Sequence, residues 1–375
     1  MKRKILLTIS FLIITGFIAF SQNEIGTNKY AGIEIGSKGV KISIVSLIAN
    51  TNLDFAYEVL ADSSVNTEII EFRESSISES AKAAIMFYYK AINYYKIPDR
   101  QVFIVMGSGV IQQALITKNL DKIEKLKSII LNELNNSSKV IDYLTPEIEA
   151  RLVHLGTIHK DDRNGSIIID VGSGNTKGGH FDKDATFTPF DFSWGTGKIK
   201  TEINKKQPSS ISEYSILVNE LIGKIKVNDL NTTLNQKPII RNQALVIMGG
   251  GISWVIATLM RPQNMNKAFI ELSVGDIREF KKNILTNYDN FIDDSRAKDM
   301  IALNEFTKVK RHFDQESMIA GASLVEAIMG NLDMGKPSKK FYFARYSGWL
   351  TGYLIKSKMG EEVIGQGRIG GSSKD

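Results

Sequence analysis

The sequence predicts an α/β protein built from two similar domains that enclose a ligand cleft. The chain has 375 residues, of which 43% are hydrophobic, so it can bury the cores of two domains of ordinary size. A short apolar strand that contains an acid ends in a glycine turn at Gly36, and the same order of residues recurs at Gly172, which indicates an internal repeat. We expect residues 28–144 to form the first domain and residues 145–360 the second.

The first repeat has the pattern of a β-hairpin followed by a helix and a buried strand. Residues 30–36 read as a strand, and residues 40–45 alternate in hydrophobicity as its returning partner. Apolar residues at helical spacing occupy 77–95, and the apolar run at 102–106 is closed by Gly107, Ser108 and Gly109. This order predicts an α/β domain.

The second repeat opens with a helix. Thr145 suits the N-cap and Pro146 the first helical position, so residues 147–156 are predicted to be helical. The strand at 166–172 then repeats the acid and glycine turn, and a third apolar strand at 244–248 runs into three glycines. Three glycine loops therefore follow three apolar strands.

The N-terminal residues have the pattern of a secretory signal peptide. Three basic residues at positions 2–4 precede an uncharged, mostly apolar run over 5–20. The run is short for a bilayer span, and the small residues Ala19 and Ser21 suit a signal peptidase. We expect a signal peptide over residues 1–21 and a mature chain that is secreted, periplasmic or held in the cell envelope, with an uncleaved anchor as the alternative.

Composition excludes several classes of function. The net charge of +6 falls to +3 without the leader, which holds three basic residues and no acidic one, and the charges are dispersed, so nucleic acid is not an expected partner. The absence of cysteine rules out disulfides and thiol catalysis. The four histidines lack metal-ligand spacing. Residues 361–375 are predicted to be a disordered tail.

The glycine loops have residues suited to binding phosphate. Glycine-rich turns let phosphate oxygens approach backbone amides closely, and hydroxyl and cationic side chains add donors. An acid precedes each hairpin turn at the same offset, Glu34 and then Asp170, and these acids could hold a magnesium ion against the phosphates, either directly or through its bound waters. One such turn alone is more often a tight hairpin, but three favour a phosphate site. The predicted phosphate-binding residues are Gly36, Ser37, Lys38, Gly39, Gly172, Ser173, Gly174, Asn175, Thr176, Gly249, Gly250 and Gly251.

Hydrolysis of a phosphoanhydride also needs a base that orients water. Glu149, with Glu147 as its rival, lies in the first turn of the helix predicted after Thr145. Acids in a first helical turn also offset the helix dipole, so the residues alone leave both interpretations open. Arg151 could contact phosphate or form a surface salt bridge.

Several stretches resemble the exopolyphosphatase and guanosine pentaphosphate phosphohydrolase family, the Ppx/GppA family. They occur in the family's order between residues 31 and 358. The Glu-Ala-Arg-Leu helix distinguishes them from actins and sugar kinases, which belong to the same superfamily. The stretches are residues 31–37, 146–156, 169–176, 248–251, 318–322 and 348–354.

The resemblance implies two ribonuclease-H-like domains of the actin-like ATPase type, in the family's short two-domain form. It also implies that Glu149 is the catalytic base, that Arg151 contacts phosphate, and that Glu34 and Asp170 hold Mg²⁺. The chain departs from the family at Glu34, where Asp is usual, and at Lys177, where Glu is typical. The second departure inverts a charge in the predicted site.

Three functions stay open at this point. The leading hypothesis is an exported, magnesium-dependent phosphohydrolase that cleaves polyphosphate or a nucleotide polyphosphate. A secreted nucleotide phosphatase resembling apyrases is the second. The third is a catalytically silent phosphate- or nucleotide-binding sensor of the cell envelope, which Lys177 and Glu34 suggest. Membrane contact is expected only through an uncleaved N-terminal segment, and a homodimer stays open.

Overall fold

Two mixed β-sheets with flanking helices make up the described part of the chain. The computed structural model describes residues 28–47, 57–136 and 138–356, and the predicted signal peptide and C-terminal tail lie outside these residues. No helix within these ranges is long and apolar enough to cross a membrane.

The first sheet has the strand order β3-β2-β1-β4-β5. Its strands are β1 (Lys29–Gly36), β2 (Gly39–Leu47), β3 (Tyr57–Asn66), β4 (Val102–Met106) and β5 (Ile141–Tyr143). The first three are antiparallel neighbours, and β4 and β5 continue the sheet in the direction of β1. The β1–β2 hairpin closes with Gly36 opposite Gly39, so Ser37 and Lys38 form its two-residue turn.

The second sheet repeats this arrangement, with the order β10-β11-β9-β6-β7-β8. Its strands are β6 (Ser166–Val171), β7 (Thr176–Phe181), β8 (Phe187–Phe192), β9 (Leu245–Gly249), β10 (Phe269–Leu272) and β11 (Lys340–Ala344). The antiparallel meander β6-β7-β8 is followed by the parallel strands β9 and β11, as β1-β2-β3 is followed by β4 and β5. The internal repeat predicted from the glycine turns is confirmed.

Helices cover the sheets on the faces where the strands are apolar. In the first half they are α1 (Glu74–Tyr89), α2 (Ser108–Thr117) and α3 (Leu120–Leu134). Later in the chain they are α4 (Pro146–Thr157), α5 (Lys160–Arg163), α6 (Thr196–Asn204), α7 (Ile211–Ile225), α8 (Asn231–Gln236), α9 (Pro238–Asn242), α10 (Gly251–Met260), α11 (Val274–Thr286), α12 (Tyr288–Phe291), α13 (Met300–His312), α14 (Gln315–Asn331) and α15 (Trp349–Leu354). Short 3₁₀ and π turns lie at Ile69–Glu71, Lys90–Tyr94, Asp99–Gln101, Lys226–Leu230, Pro262–Asn264 and Asp294–Arg296. One buried apolar cluster lies on each sheet, and a third joins the two.

Helix α4 begins as the sequence predicts. The hydroxyl of Thr145 accepts a hydrogen bond from the amide of Ile148 at 3.2 Å, and Pro146 fills the first helical position. Two acids, Glu147 and Glu149, lie in the first turn. Helix α4 connects the two sheets, so its orientation determines where Glu149 lies.

Helices α4 and α15 cross with their backbones in contact. A side-chain carbon at Gly352 would lie 1.7 Å from the carbonyl oxygen of Leu152, and one at Gly156 would lie 2.2 Å from the Thr351 hydroxyl. The Tyr57 hydroxyl also donates a hydrogen bond to the Gly156 carbonyl at 2.7 Å. Only hydrogen fits at the two glycines, so the crossing holds α4 at one distance from α15.

Candidate functional site

The two hairpin turns that the sequence predicts to bind phosphate lie against each other. The hydroxyl of Ser37, in the β1–β2 turn, is so close to Gly174, in the β6–β7 turn, that a side-chain carbon there would lie 2.4 Å from it. A carbon at Gly109, after strand β4, would lie 2.8 Å from the same hydroxyl. Glycine is required for this approach, which joins loops from both sheets.

The third glycine loop lies beside Asp170. Gly249 is the neighbour of Asp170 in the parallel pairing of β6 and β9. Gly250 has a φ of +88°, and a side-chain carbon there would lie 2.2 Å from the Val171 carbonyl oxygen. The predicted loops at 36–39, 172–176 and 249–251 are therefore all brought together around the ends of β1, β6 and β9.

The polar side chains of the second loop hold it in place. The Asn175 amide donates to the Ser108 hydroxyl at 3.0 Å and to the Gln112 side chain at 2.9 Å, both on α2. The Thr176 hydroxyl donates to the Trp194 carbonyl at 2.8 Å. Both side chains therefore have protein partners, and the phosphate contacts of Asn175 and Thr176 stay a prediction.

Backbone carbonyls of the same loop point to the start of α6. The Gly172 carbonyl accepts from the Thr196 amide, and the Ser173 carbonyl accepts from the Lys198 amide, both at 3.0 Å. The Ser173 hydroxyl lies against Gly197, where a side-chain carbon would be 2.1 Å away. These bonds hold the loop against the start of α6, and the Gly172 amide donates to the Asn175 carbonyl at 3.0 Å across the same turn.

Glu149 lies where these elements meet. Its side chain is buried, with 4% of the residue exposed. One carboxylate oxygen, Oε2, accepts from the backbone amide of Ser108 at 2.9 Å, at the N-terminus of α2. The other, Oε1, lies 2.8 Å from the ammonium of Lys177. The rival acid Glu147 is exposed, so of the two only Glu149 belongs to the site.

Lys177 joins Glu149 to Asp170. It lies on β7 directly opposite Asp170 on β6, and its ammonium is 2.7 Å from Asp170 Oδ2. Burial would lower the pKa of Lys177, but the carboxylates of Asp170 and Glu149 outweigh it and raise that pKa. Burial would raise the pKa of Asp170, but the ammonium of Lys177 outweighs it and lowers that pKa. Both groups are therefore charged at neutral pH.

Glu34 lies next to this group. Its Oε1 would be 3.3 Å from a side-chain carbon at Gly36 and 3.2 Å from one at Gly107. Burial raises the pKa of Glu34, the positive charge of Lys41 opposes that rise, and the negative charge of Glu149 adds to it. Glu34 thus packs against the turns that follow β1 and β4.

Lys38 and Arg151 point elsewhere. The Lys38 ammonium donates to the His312 carbonyl and lies 3.9 Å from the centroid of the Phe313 ring, and burial lowers its pKa to about 8. The Arg151 guanidinium lies 5.6 Å from the Phe181 ring, at the end of β7 remote from the turn. Arg151 follows Glu149 by two residues on α4 and so faces a different direction, and its phosphate contact stays a prediction.

Solved structures share the fold of this chain. The exopolyphosphatase of Cytophaga hutchinsonii ATCC 33406 matches with a TM-score of 0.60 at 12% identity, over 90% of this chain and 99% of that one. An Aquifex aeolicus member of the Ppx/GppA family gives 0.57 at 15%, over 89% and 98%. The type II variant of the Aquifex aeolicus Ppx/GppA phosphatase gives 0.55 at 16%, over 88% and 99%. This chain has the Ppx/GppA fold.

The Ppx/GppA fold confirms the predicted class, a two-domain actin-like α/β architecture. The match covers nearly the whole of each solved chain, which agrees with the short form expected from the resemblance. No protein-family model matches the sequence, and no curated protein matches it. The likeness therefore lies in the fold, and the site must be judged from its own residues.

These residues do not fit a magnesium ion held directly by Glu34 and Asp170 in the Ppx/GppA fold. Magnesium requires oxygen ligands at about 2.0–2.1 Å in near-octahedral geometry. The carboxylate of Asp170 is already bonded to the Lys177 ammonium, whose charge would repel a divalent cation. Among the described residues, no group of three acidic, histidine or cysteine side chains is arranged to hold a metal.

Sequence reasoning missed two contributors on α2, Ser108 and Gln112. The backbone amide of Ser108 donates to Glu149. The side chain of Gln112 accepts a hydrogen bond from the Asn175 amide and donates one to Asp191 at 2.8 Å. The signal was present, because Gly107, Ser108 and Gly109 follow strand β4 as the other glycine loops follow theirs.

Proposed function

We propose that the protein binds a phosphoanhydride, either polyphosphate or a nucleotide polyphosphate, where the three glycine loops meet, and hydrolyses it with Glu149 as the base. The observation that carries the proposal is the position of Glu149, a buried carboxylate at the junction of both hairpin turns and the start of α2. The exopolyphosphatases among the proteins of the same fold support the substrate class.

In this proposal the loops and Glu149 have separate tasks. Backbone amides of the turns at 36–39 and 172–176 would hold the phosphate oxygens, apart from the Gly172 amide, which donates to the Asn175 carbonyl, because glycine-rich turns let an anion approach the backbone closely. Glu149 would orient a water in line with the terminal phosphorus and take its proton as the new P–O bond forms and the bridging P–O bond breaks. The products are inorganic phosphate and a shortened chain.

The matched pair of acids on α4 provides the test. Purified protein is incubated with long-chain polyphosphate, ATP or a guanosine polyphosphate, and released phosphate is measured. We expect Glu149→Gln to lower kcat by about 100-fold or more, the usual range for loss of a general base. We expect Glu147→Gln, an exposed residue of the same helical turn, to stay within about twofold of wild type.

Equal rates of phosphate release for Glu149→Gln and wild type would show that Glu149 is not the base. A preference for ATP over long-chain polyphosphate would favour the apyrase-like alternative. Both outcomes are read from the same assay.

A second candidate function is phosphate binding without turnover. The observation that favours it is that both oxygens of Glu149 already have partners, the Ser108 amide and the Lys177 ammonium. An ion pair stabilises the charged carboxylate and so reduces its basicity. Polyphosphate that raises the melting temperature without any phosphate release would support this sensor-like function.

Export is a further part of the proposal and rests on the N-terminal sequence alone. The basic residues at 2–4 and the apolar run at 5–20 support it. The full chain is produced in a bacterium, the cell fractions are separated, and the N-terminus of the product is sequenced. We expect a periplasmic or secreted protein that begins at Gln22. A cytoplasmic product that retains Met1 would refute export.

A further inference from the structure

The ammonium of Lys177 lies in a buried position between two acids. Its nitrogen is 2.8 Å from Glu149 Oε1 and 2.7 Å from Asp170 Oδ2, and the residue is 3% exposed. Two carboxylates that converge on one buried point supply the negative charge that a cation needs there. Here a side chain of the protein provides that cation.

The ammonium is tethered at this position. Lys177 lies within the hairpin β6–β7, and the next residue, Gly178, is so tightly packed that a side-chain carbon there would lie 2.2 Å from the Ile168 carbonyl oxygen. The lysine therefore cannot move away by a shift of its strand. A metal ion from solution would have to displace this ammonium, which the chain holds permanently beside the two carboxylates.

The same ammonium also faces the second glycine loop. A side-chain carbon at Gly172 would lie 3.8 Å from its nitrogen. An ammonium has three N–H donors, and within the part of the chain that the structure describes its partners are the two carboxylates. The remaining N–H is free to donate to a phosphate oxygen held by that loop, since lysine binds phosphate as a point charge.

We infer that Lys177 is the resident cation of this site: it occupies the place between Glu149 and Asp170 that a divalent metal would need, and it contacts bound phosphate in the metal's stead. The phosphate contact rests on the proposed function. The exclusion of metal does not, because it depends only on the ion pairs of the protein itself.

Manganese serves as the probe, because the electron paramagnetic resonance signal of free Mn²⁺ disappears when the ion binds. The purified protein is titrated with Mn²⁺ at neutral pH without any phosphate compound. We expect wild type to show no site, and Lys177→Met to gain one with an affinity at least about tenfold above any residual wild-type binding. Lys183→Met, which removes an exposed lysine just beyond the far end of β7, is the matched control and should behave as wild type.

The wild-type titration needs no variant to fold. A single Mn²⁺ site in wild type that Asp170→Asn abolishes would overturn the inference. Lys177→Gln, whose amide can still donate to the carboxylates, replaces Lys177→Met if the latter does not fold. Folded Lys177 variants that gain no site would also overturn the inference, because the lysine would then not be what excludes the metal.

A second titration separates this inference from the proposed function. Polyphosphate binding to wild type is measured by calorimetry in EDTA and again with Mg²⁺, and we expect Kd values within about twofold of each other. Binding that requires Mg²⁺ would overturn the role of Lys177 as the resident cation. Absence of binding in both buffers would refute phosphate binding and with it the contact of Lys177 to phosphate, while the manganese result would still decide the exclusion of metal.

Discussion

Replacement of Gly352 by alanine tests whether the α4–α15 crossing holds the site together. The new methyl group would lie 1.7 Å from the carbonyl oxygen of Leu152, whereas ordinary contacts begin at 3.4 Å. The obstacle is backbone rather than a flexible side chain, so the helices must separate by roughly 1.5 Å. We expect Gly352→Ala to lower the free energy of unfolding by about 2–4 kcal/mol, at or above the usual range for overpacking.

The same displacement should reach the site, because Glu149 lies on α4 one turn before Leu152. A shift of about 1 Å can cost about 100-fold in a reaction that depends on positioning. We therefore expect a large loss of phosphate release in Gly352→Ala at temperatures where the variant is still folded.

Urea unfolding followed by circular dichroism measures the stability, and Gly223→Ala is the control. Gly223 lies in α7 with no atom within 4 Å of the added carbon, so alanine there should stabilise by about 0.5–1 kcal/mol. If Gly352→Ala were as stable as wild type and equally active, the helices would not be in backbone contact and the argument would fail.

Two further predictions concern pH. The lowered pKa of Asp170 means that its contribution to stability is present above the ordinary pKa of 3.8 and is lost as pH falls through the folded value. Asp170→Asn should therefore be less stable than wild type by about 3–5 kcal/mol at pH 7, with a smaller difference at pH 3 in urea unfolding. An equal difference at both pH values would contradict the ion pair. His154 is fully buried, neither ring nitrogen has a hydrogen-bond partner among the described residues, and burial, with the charge of Arg163, lowers its pKa to about 3. The unfolded chain takes up this proton as pH falls below about 6.5, whereas the folded chain does not, so the free energy of unfolding of wild type should fall by about 2 kcal/mol between pH 8 and pH 5. His154→Leu should not show this fall. Parallel pH profiles of stability for the two proteins would refute the prediction.

Local sequence patterns were sufficient to predict the hairpins and their acids. A strand that ends in glycine and returns with period two is determined by neighbouring residues, so the turns at Gly36 and Gly172 and the N-cap at Thr145 are confirmed. The pairing of Asp170 with Lys177 also follows from the hairpin register.

Tertiary contacts decide what the sequence left open. Glu147 and Glu149 share one helical turn, and only the docking of α4 buries one of them. The Lys38 ammonium lies at the His312 carbonyl and the Phe313 ring, contacts to residues so far along the chain that local sequence does not indicate them. The glycines around Ser108 mark a loop after β4, but the bond from its amide to Glu149 depends on how α2 and α4 dock, which neighbouring residues do not specify.

The location of Asp170 and Lys177 on one hairpin has a consequence for how the chain folds. The two residues are close in sequence and directly opposite in the register, so they can meet as soon as the hairpin forms, within microseconds in simple systems. Glu149 belongs to a helix that docks from outside this hairpin. The lysine can therefore be neutralised before the helix covers it, and folding need not pass through a state in which that charge is buried alone.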